Sequence, residues 1–446
     1  MLRITAITIV CTFAAGAASA QTAPDSLSLD QAVALALVNN RSLANSELQE
    51  TKADADVATA RSNRMPQFSL YAQANQLLRP VSVSFKEGTF GTFPDIGPIP
   101  SSDTKITTPS KPSFYLSASA AQPLTQLFRL NLNVQLTEKG RALERETIRS
   151  TRVALVNEVK RLYYSILQSE SALDASAYSV TRLREVQRVV DDRFVQQVAL
   201  QSDVLDVRAR LAQAEHTQLT IRHTMAAQKE QLNLLIGRDV RTPFQTLGVP
   251  AQTILEADLE AAQTRALEDR PDVRQARLKV EQAGLARKIA KAQSIPDISA
   301  VVSYLAPMNI EGAPRNIATA GVRLEWEPFD WGRRARTEAV RDVEQRQSIN
   351  ALRDTQDRAV VEVNTQFRRL EEARSQLRVA SLTQETAREN GRVRGQQYIV
   401  KAALLADVLQ ADSVQADADN QYHQALIALW TARADFERAL GQDVNK

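Results

Sequence analysis

The sequence predicts a mainly α chain with a membrane β-barrel contribution, organised as two tandem structural repeats of helix–β-hairpin–long helix–helix. Two observations carry this. Residues 29–70 align without a gap on 259–300, setting Leu29 on Leu259, Ala36-Leu37 on Ala266-Leu267, Pro66 on Pro296 and Ser69 on Ser299. Further on the offset becomes 204: Asp203-Val204-Leu205 meets Asp407-Val408-Leu409, and GRDV at 237 meets GQDV at 441. Within each copy a helix-like segment then passes through a proline into a run of period-two alternation.

In chain order, residues 1–20 read as a secretory signal peptide. Arg3 is followed by an apolar stretch from Ile4 to Ala15, then by Ala18-Ser19-Ala20 at a cleavage position. The apolar run is shorter than the ~20 residues of a membrane-spanning helix. Cys11, the only cysteine, lies inside it behind a poor lipoprotein box. The mature chain is therefore expected to begin near Gln21, exported, without disulfides and not lipidated. One of the 55 basic residues, Arg3, goes with this leader, leaving 54 against 52 acidic, a balance that does not suggest nucleic acid as a partner. Aromatics at 5% and only 14 glycines point to long helices with few turns.

The first repeat, 21–240, opens with a helix at Leu29 that pauses at Asn39-Asn40-Arg41 and resumes to about Arg64, where Pro66 stops it. A β-hairpin over 67–122 follows, then a long helix over 133–196. That helix carries a coiled-coil-like seam through Leu155, Val159, Leu162, Ile166 and Val180. A shorter helix runs from about Ser202 to Ile236, and 241–257 is read as an equatorial linker. The second repeat, 258–446, has its pause at Asp269-Arg270-Pro271, its stop at Pro296, a β-hairpin over 297–327, a long helix over 334–398 and a last helix from about Asp407. Each long helix would run ~96 Å at ~1.5 Å per residue. The stretch from Pro80 to Pro112, rich in Pro, Gly and Ser, is expected to be a mobile extracellular loop.

Each of the four strands is about as long as a bilayer-crossing strand, ~9–11 residues. Phe68, Leu70, Phe114, Leu116, Val322 and Leu324 are expected to face lipid, and Ser69, Ser117, Ser299 and Arg323 the lumen. Open sheet edges are not tolerated in hydrocarbon, and four strands cannot close a barrel of useful diameter. Three copies of the chain would supply twelve.

With these features the sequence resembles the TolC-like outer membrane efflux protein family over essentially all of the mature chain. The motifs are the duplicated unit, the helix breaks NNRSL and ALEDRPDV, the DVL after each helix turn, and EPFDWGRRAR from Glu327 to Arg336. The resemblance implies an outer membrane channel of a tripartite efflux or type I secretion system, exporting small molecules or proteins from a Gram-negative bacterium. It implies a homotrimer in contact with outer membrane lipid, with a twelve-stranded β-barrel continued by a periplasmic α-barrel of twelve helices. Its partners would be a periplasmic membrane-fusion adaptor and an inner-membrane pump of RND, ABC or MFS type. Adaptor-docking helix tips would lie at Val198, Ala199 and Leu200 and at Ala402, Ala403 and Leu404, with Gln197 and Lys401 standing where the family has glycine. For the gate, Asp407 matches a ring aspartate, Tyr398 a network tyrosine and Asp203 its carboxylate partner, while Ala403 and Gln410 replace other gate positions.

Asp203 and Asp407 equally suit helix caps, since a carboxylate in a first turn is favoured there. His216 and His223 have no third ligand nearby, so neither a metal nor a cofactor is expected. There is no nucleophile–base constellation or phosphate loop, and no enzyme activity is expected. The rival interpretation is a secreted periplasmic coiled-coil adaptor or scaffold, which explains the leader and helices but not four amphipathic strands placed twice at the same point.

Overall fold

The computed structural model describes residues 25–108, 112–249, 258–309, 314, 316–400, 402 and 405–442, with the backbone alone at 25, 108, 398, 399, 405, 406, 408, 409 and 412. The expected leader lies outside these residues, as does 250–257 of the expected linker. The chain begins β1 (Asp25–Leu27), α1 (Leu29–Asn39), α2 (Arg41–Ser62), β2 (Gln67–Gln76), β3 (Val81–Phe85), β4 (Thr92–Phe93), β5 (Gly97–Pro98), β6 (Thr104–Thr108) and β7 (Pro112–Pro123). Next come α3 (Gln126–Val195), α4 (Gln201–Leu235) and β8 (Phe244–Thr246). The second half holds α5 (Leu259–Asp269), α6 (Pro271–Ala292), β9 (Asp297–Met308), β10 (Ile317–Glu325), α7 (Arg333–Ile399) and α8 (Leu405–Ala439). None of the described helices is long and apolar enough to cross a membrane.

Two compact units result, and each draws on both repeats: Met1–Ala44, Arg152–Ala262 and Glu362–Lys446 form one, Asn45–Thr151 and Gln263–Val361 the other.

In the first unit, Ser28 and Gln31 form a reciprocal capping box that starts α1. Asn40 makes the pause. Its Oδ1 accepts the N–H groups of Ser42 and Leu43 at 2.9 and 3.1 Å, capping α2, and its Nδ2 donates to the Leu235 carbonyl at 2.9 Å. α4 stops at Gly237, whose left-handed φ of 72° lets the N–H of Arg238 reach the Asn233 carbonyl. A Cβ there would lie 2.6 Å from the Asn39 carbonyl oxygen. Gly441 ends α8 in the same way in the second repeat. The expected linker contains β8, which pairs in parallel with β1. Beneath that pair lies the buried Tyr163, whose hydroxyl accepts the Leu247 N–H at 2.9 Å and lies 2.8 and 2.7 Å from the carbonyls of Leu27 and Leu247.

In the second unit, β2, β7, β9 and β10 form one antiparallel sheet in the order β10-β9-β7-β2. The two helix-to-strand transitions are tied down separately. Gln122 Nε2 donates to the Arg64 carbonyl beside Pro66. Thr125 Oγ1 donates to the Pro296 carbonyl at 2.7 Å and accepts the Ile298 N–H at 2.8 Å. The Arg129–Asp297 ion pair at 2.9 Å adds to the second junction. Below it, Leu132, Leu285 and Ala292 pack with Leu136 and Ile289.

The stretch expected to be a mobile loop holds two ladders, β3 with β6 and β4 with β5, and a Phe85–Phe90 ring pair 5.1 Å apart. The Val-Ser-Val-Ser-Phe alternation of β3 is the sequence signal that the Pro and Gly content obscured.

Candidate functional site

The sheet divides its residues by register, because directly opposed residues project to the same side. One row joins Phe68, Ala120, Val302 and Ala320, and the next joins Leu70, Ala118, Tyr304 and Ala318. Leu116 stands between Ala72 and Ala306, Phe114 between Ala74 and Met308, while Val322 opposes Ala300 and Leu324 opposes Ile298. All six residues expected to meet lipid therefore share one face. Phe68 is 81% exposed and Val322 72%, a large apolar surface left uncovered within one chain. On the opposite face Ser69, Ser119, Ser303 and Thr319 form one row across all four strands, with Ser69–Ser119 and Ser303–Thr319 hydroxyl pairs at 2.7 Å. Arg323 and Ser299 oppose each other on this face. Ser117 shares its row with Tyr71, Leu305 and Ile317, so this face is mixed rather than uniformly polar.

Where β10 leads into α7, Trp331 and Gly332 adopt left-handed φ values of 57° and 80°. Asp330 stabilises that turn by accepting the N–H groups of Gly332 and Arg334 at 3.1 and 3.0 Å. Local desolvation favours its neutral form, but those N–H bonds and the Arg334 and Arg333 guanidiniums prevail and hold its pKa below the ordinary value. The result displays Phe329 and Trp331 as an exposed edge-to-face pair 4.8 Å apart. The sequence showed this segment as a motif without revealing that its aromatics point outward.

The tip of the first unit is built by a Schellman motif at the end of α3. The Val198 N–H reaches the Arg193 carbonyl at 2.9 Å, and the Gln197 N–H reaches the Phe194 carbonyl at 2.9 Å. This places Gln197 at φ 60°, the conformation glycine adopts without cost. The turn thus forms with glutamine at the left-handed position. Val198 and Leu200 are exposed, and Ala199 is half-buried. Asp203 accepts the Leu200 N–H at 3.1 Å and so caps α4. At the second tip, Ala402 is exposed and donates its N–H to the Gln397 carbonyl at 2.7 Å. Ala403 and Leu404 lie outside the described residues, as does the side chain of Tyr398, which belongs to α7. Asp407 is exposed in the first turn of α8.

A family model described as outer membrane efflux protein matches residues 32–238 and 263–442. The chain belongs to this family. No curated protein sequence matches it. Among solved structures it is similar to the CmeC outer membrane channel of Campylobacter jejuni, with 14% identity over 93% of this chain and 85% of that one and a TM-score of 0.76. It is also similar to the outer membrane protein VceC of Vibrio cholerae, with 15% identity, 93% and 96% coverage and a TM-score of 0.71. A third is the open state of the MtrE outer membrane channel of Neisseria gonorrhoeae, with 17% identity, 93% and 88% coverage and a TM-score of 0.70. These likenesses concern the fold. As a member of the outer membrane efflux protein family, this chain is an export channel of the outer membrane with a large periplasmic helical part. Channels of this family are trimeric and work with periplasmic adaptors and inner-membrane pumps; they are not enzymes. The soluble adaptor alternative is set aside: it has no use for a four-stranded sheet with one exposed apolar face.

Proposed function

We propose that three copies of this outer membrane efflux protein close their sheets into one twelve-stranded barrel that serves as the export duct. Phe68, Leu70, Phe114, Leu116, Val322 and Leu324 face lipid, and the Ser69 and Arg323 face lines the lumen. The observation that carries this is the sheet itself: one apolar face, one largely polar face, and two outer strands whose edges cannot stay open in hydrocarbon. At the tips, Val198, Ala199, Leu200, Ala402, Ala403 and Leu404 dock the adaptor, which couples the duct to an RND, ABC or MFS pump. Asp407, with Tyr398 and Asp203 of neighbouring tips, closes the mouth. Adaptor docking opens it by binding the separated tips more tightly than the closed ones. The exposure of Val198 at 75% and Leu200 at 70% supports the docking role. The test is chemical crosslinking of detergent-purified protein, which should stop at three chains. A stable monomer with all four strands intact would overturn the proposal.

A further inference from the structure

In the barrel proposed above, the two outer strands of the sheet, β2 and β10, become each other's partners, and the sheet of one chain constrains their register. Three antiparallel pairings separate them, so they run in opposite directions. The β10 edge of one copy therefore meets the β2 edge of the next as an antiparallel pair.

The register follows from how the strands slide across the sheet. The row that starts at Ser69 runs through Ser119 and Ser303 to Thr319. Measured from that row, β2 begins two residues toward the helices at Gln67, β7 ends four residues away at Pro123, β9 begins six away at Asp297 and β10 ends six away at Glu325. The strand ends thus slip by four residues between β2 and β10. For the next β2 to begin level with β10, the row leaving Thr319 must arrive four residues beyond Ser69, at Gln73.

We propose that β10 pairs with β2 of the neighbouring copy in the register Thr319 opposite Gln73, Val322 opposite Leu70 and Glu325 opposite Gln67. This rests on the trimeric barrel proposed above. The register pairs all 9 residues of β10, from Ile317 to Glu325, with residues 75 to 67 of β2. Sliding by two residues in either direction leaves part of β10 without a partner. The faces are also preserved: Leu324 meets Phe68 on the apolar side, and Arg323 meets Ser69 on the other. A third argument is independent of the strand ends. A slip of four per chain accumulates to about twelve around twelve strands. With ~3.4 Å per residue and ~4.8 Å between strands, the strands tilt by about 35°, within the usual ~35–45° of closed barrels. A slip of two per chain gives about 20° and falls outside that range, while a slip of six gives about 47°, at its upper edge, and is set aside by the strand ends alone.

Disulfide trapping tests the register, since the only native cysteine, Cys11, lies in the expected leader. Directly opposed residues stand ~4.5–5.5 Å apart at Cα, within disulfide reach, whereas positions two residues off stand at ~7–8 Å. Within one chain β2 and β10 are three strand spacings apart, ~14 Å, so any bridge must join two chains. In oxidised outer membranes, the full chain carrying Val322→Cys with Leu70→Cys should form covalent trimers. Val322→Cys with Phe68→Cys, or with Ala72→Cys, should form at least several-fold fewer. Thr319→Cys with Gln73→Cys should repeat the result on the other face, against Tyr71→Cys and Asn75→Cys as the displaced partners. The two sets lie on opposite faces, so poor assembly of one leaves the other to decide. Dominant bridging at a displaced pair, or none at either expected pair in protein that runs as a trimer, would overturn the register alone. Unoxidised protein running as a monomer with its sheet intact would overturn the trimer as well.

Discussion

The carboxylate of Asp203 accepts the backbone N–H of Leu200 at 3.1 Å, closing the first turn of α4 from within its own chain. Leucine has no side-chain acceptor, so only one half of a capping box is made at the docking tip: the third-position carboxylate satisfies the N–H of the N-cap residue. Capping and gating by Asp203 are separable, because asparagine keeps an acceptor and drops the charge. Asp203→Asn is expected to raise resting conductance in planar bilayers while leaving thermal stability close to that of the parent. Asp203→Ala should in addition cost ~0.5–1.5 kcal/mol, the ordinary net worth of the lost hydrogen bond. Parental conductance in the asparagine variant would reduce Asp203 to a cap.

Asp407 is repeated three times around the proposed axis. A ring of three carboxylates concentrates cations and repels anions. Asp407→Asn should lower cation preference and weaken block by divalent cations, both read from single-channel currents. If neither changes, the mouth is closed elsewhere.

Gln197 holds a left-handed backbone that costs an ordinary residue ~1–2 kcal/mol, partly offset for glycine by its greater unfolded freedom. Gln197→Gly should therefore stabilise the end of α3 by about 1 kcal/mol, seen as slower hydrogen exchange at the Val198 amide. A β-branched substitution, Gln197→Val, should speed that exchange. Unaltered exchange in the glycine variant would mean that the conformation is not strained.

Leu116 and Ser117 are neighbours in β7 on opposite faces of the sheet. An arginine on the lipid face near the midplane costs ~2–4 kcal/mol. Leu116→Arg should sharply reduce assembled trimer, while Ser117→Arg should assemble. Equal damage at matched expression would mean that the face assignment is wrong.

Tyr163 has its pKa pushed up from 10.0 to about 12, by burial first, against the opposing effect of the Leu247 backbone bond. Burial likewise raises Tyr164 to about 12. The fold keeps these protons where the unfolded chain releases them. Their stabilising contribution is intact below pH ~10 and is lost as pH rises through ~12. Thermal melts between pH 8 and 12 should show this decline. Tyr163→Phe should make it shallower while costing ~1–3 kcal/mol at neutral pH, because the buried carbonyls of Leu27 and Leu247 lose the hydroxyl donor they share. An unchanged slope would exclude Tyr163 from the transition.

Pro66 and Pro296 made the change from helix to strand visible in the sequence, because proline removes a helical hydrogen bond and ends the ladder. The period-two runs of β2, β7, β9 and β10 were equally visible, since their length and alternation exceed what chance or a short turn produces. The resemblance to the efflux family was carried by the same repeats and by Glu327 to Arg336. β1 and β8 were hidden: a three-residue strand has no period to detect, and its partner lies more than two hundred residues away. The role of Tyr163 was hidden for the same reason, because its hydrogen bonds reach Leu27 and Leu247 from the middle of a heptad pattern.

What the sequence determined by itself was every choice made within a few residues: where helices stop, which strand positions are apolar, and that the pattern occurs twice. Tertiary structure alone decided the pairing of β7 with β9, which joins the two repeats into one sheet. It also decided the pairing of β1 with β8 and the reach of the Tyr163 hydroxyl to Leu27 and Leu247. The physical reason is that local patterning follows from side-chain sterics and solvation along the chain. Registers, tight turns and hydrogen-bond partners are set by backbone groups that look alike in every residue until the fold brings two of them together.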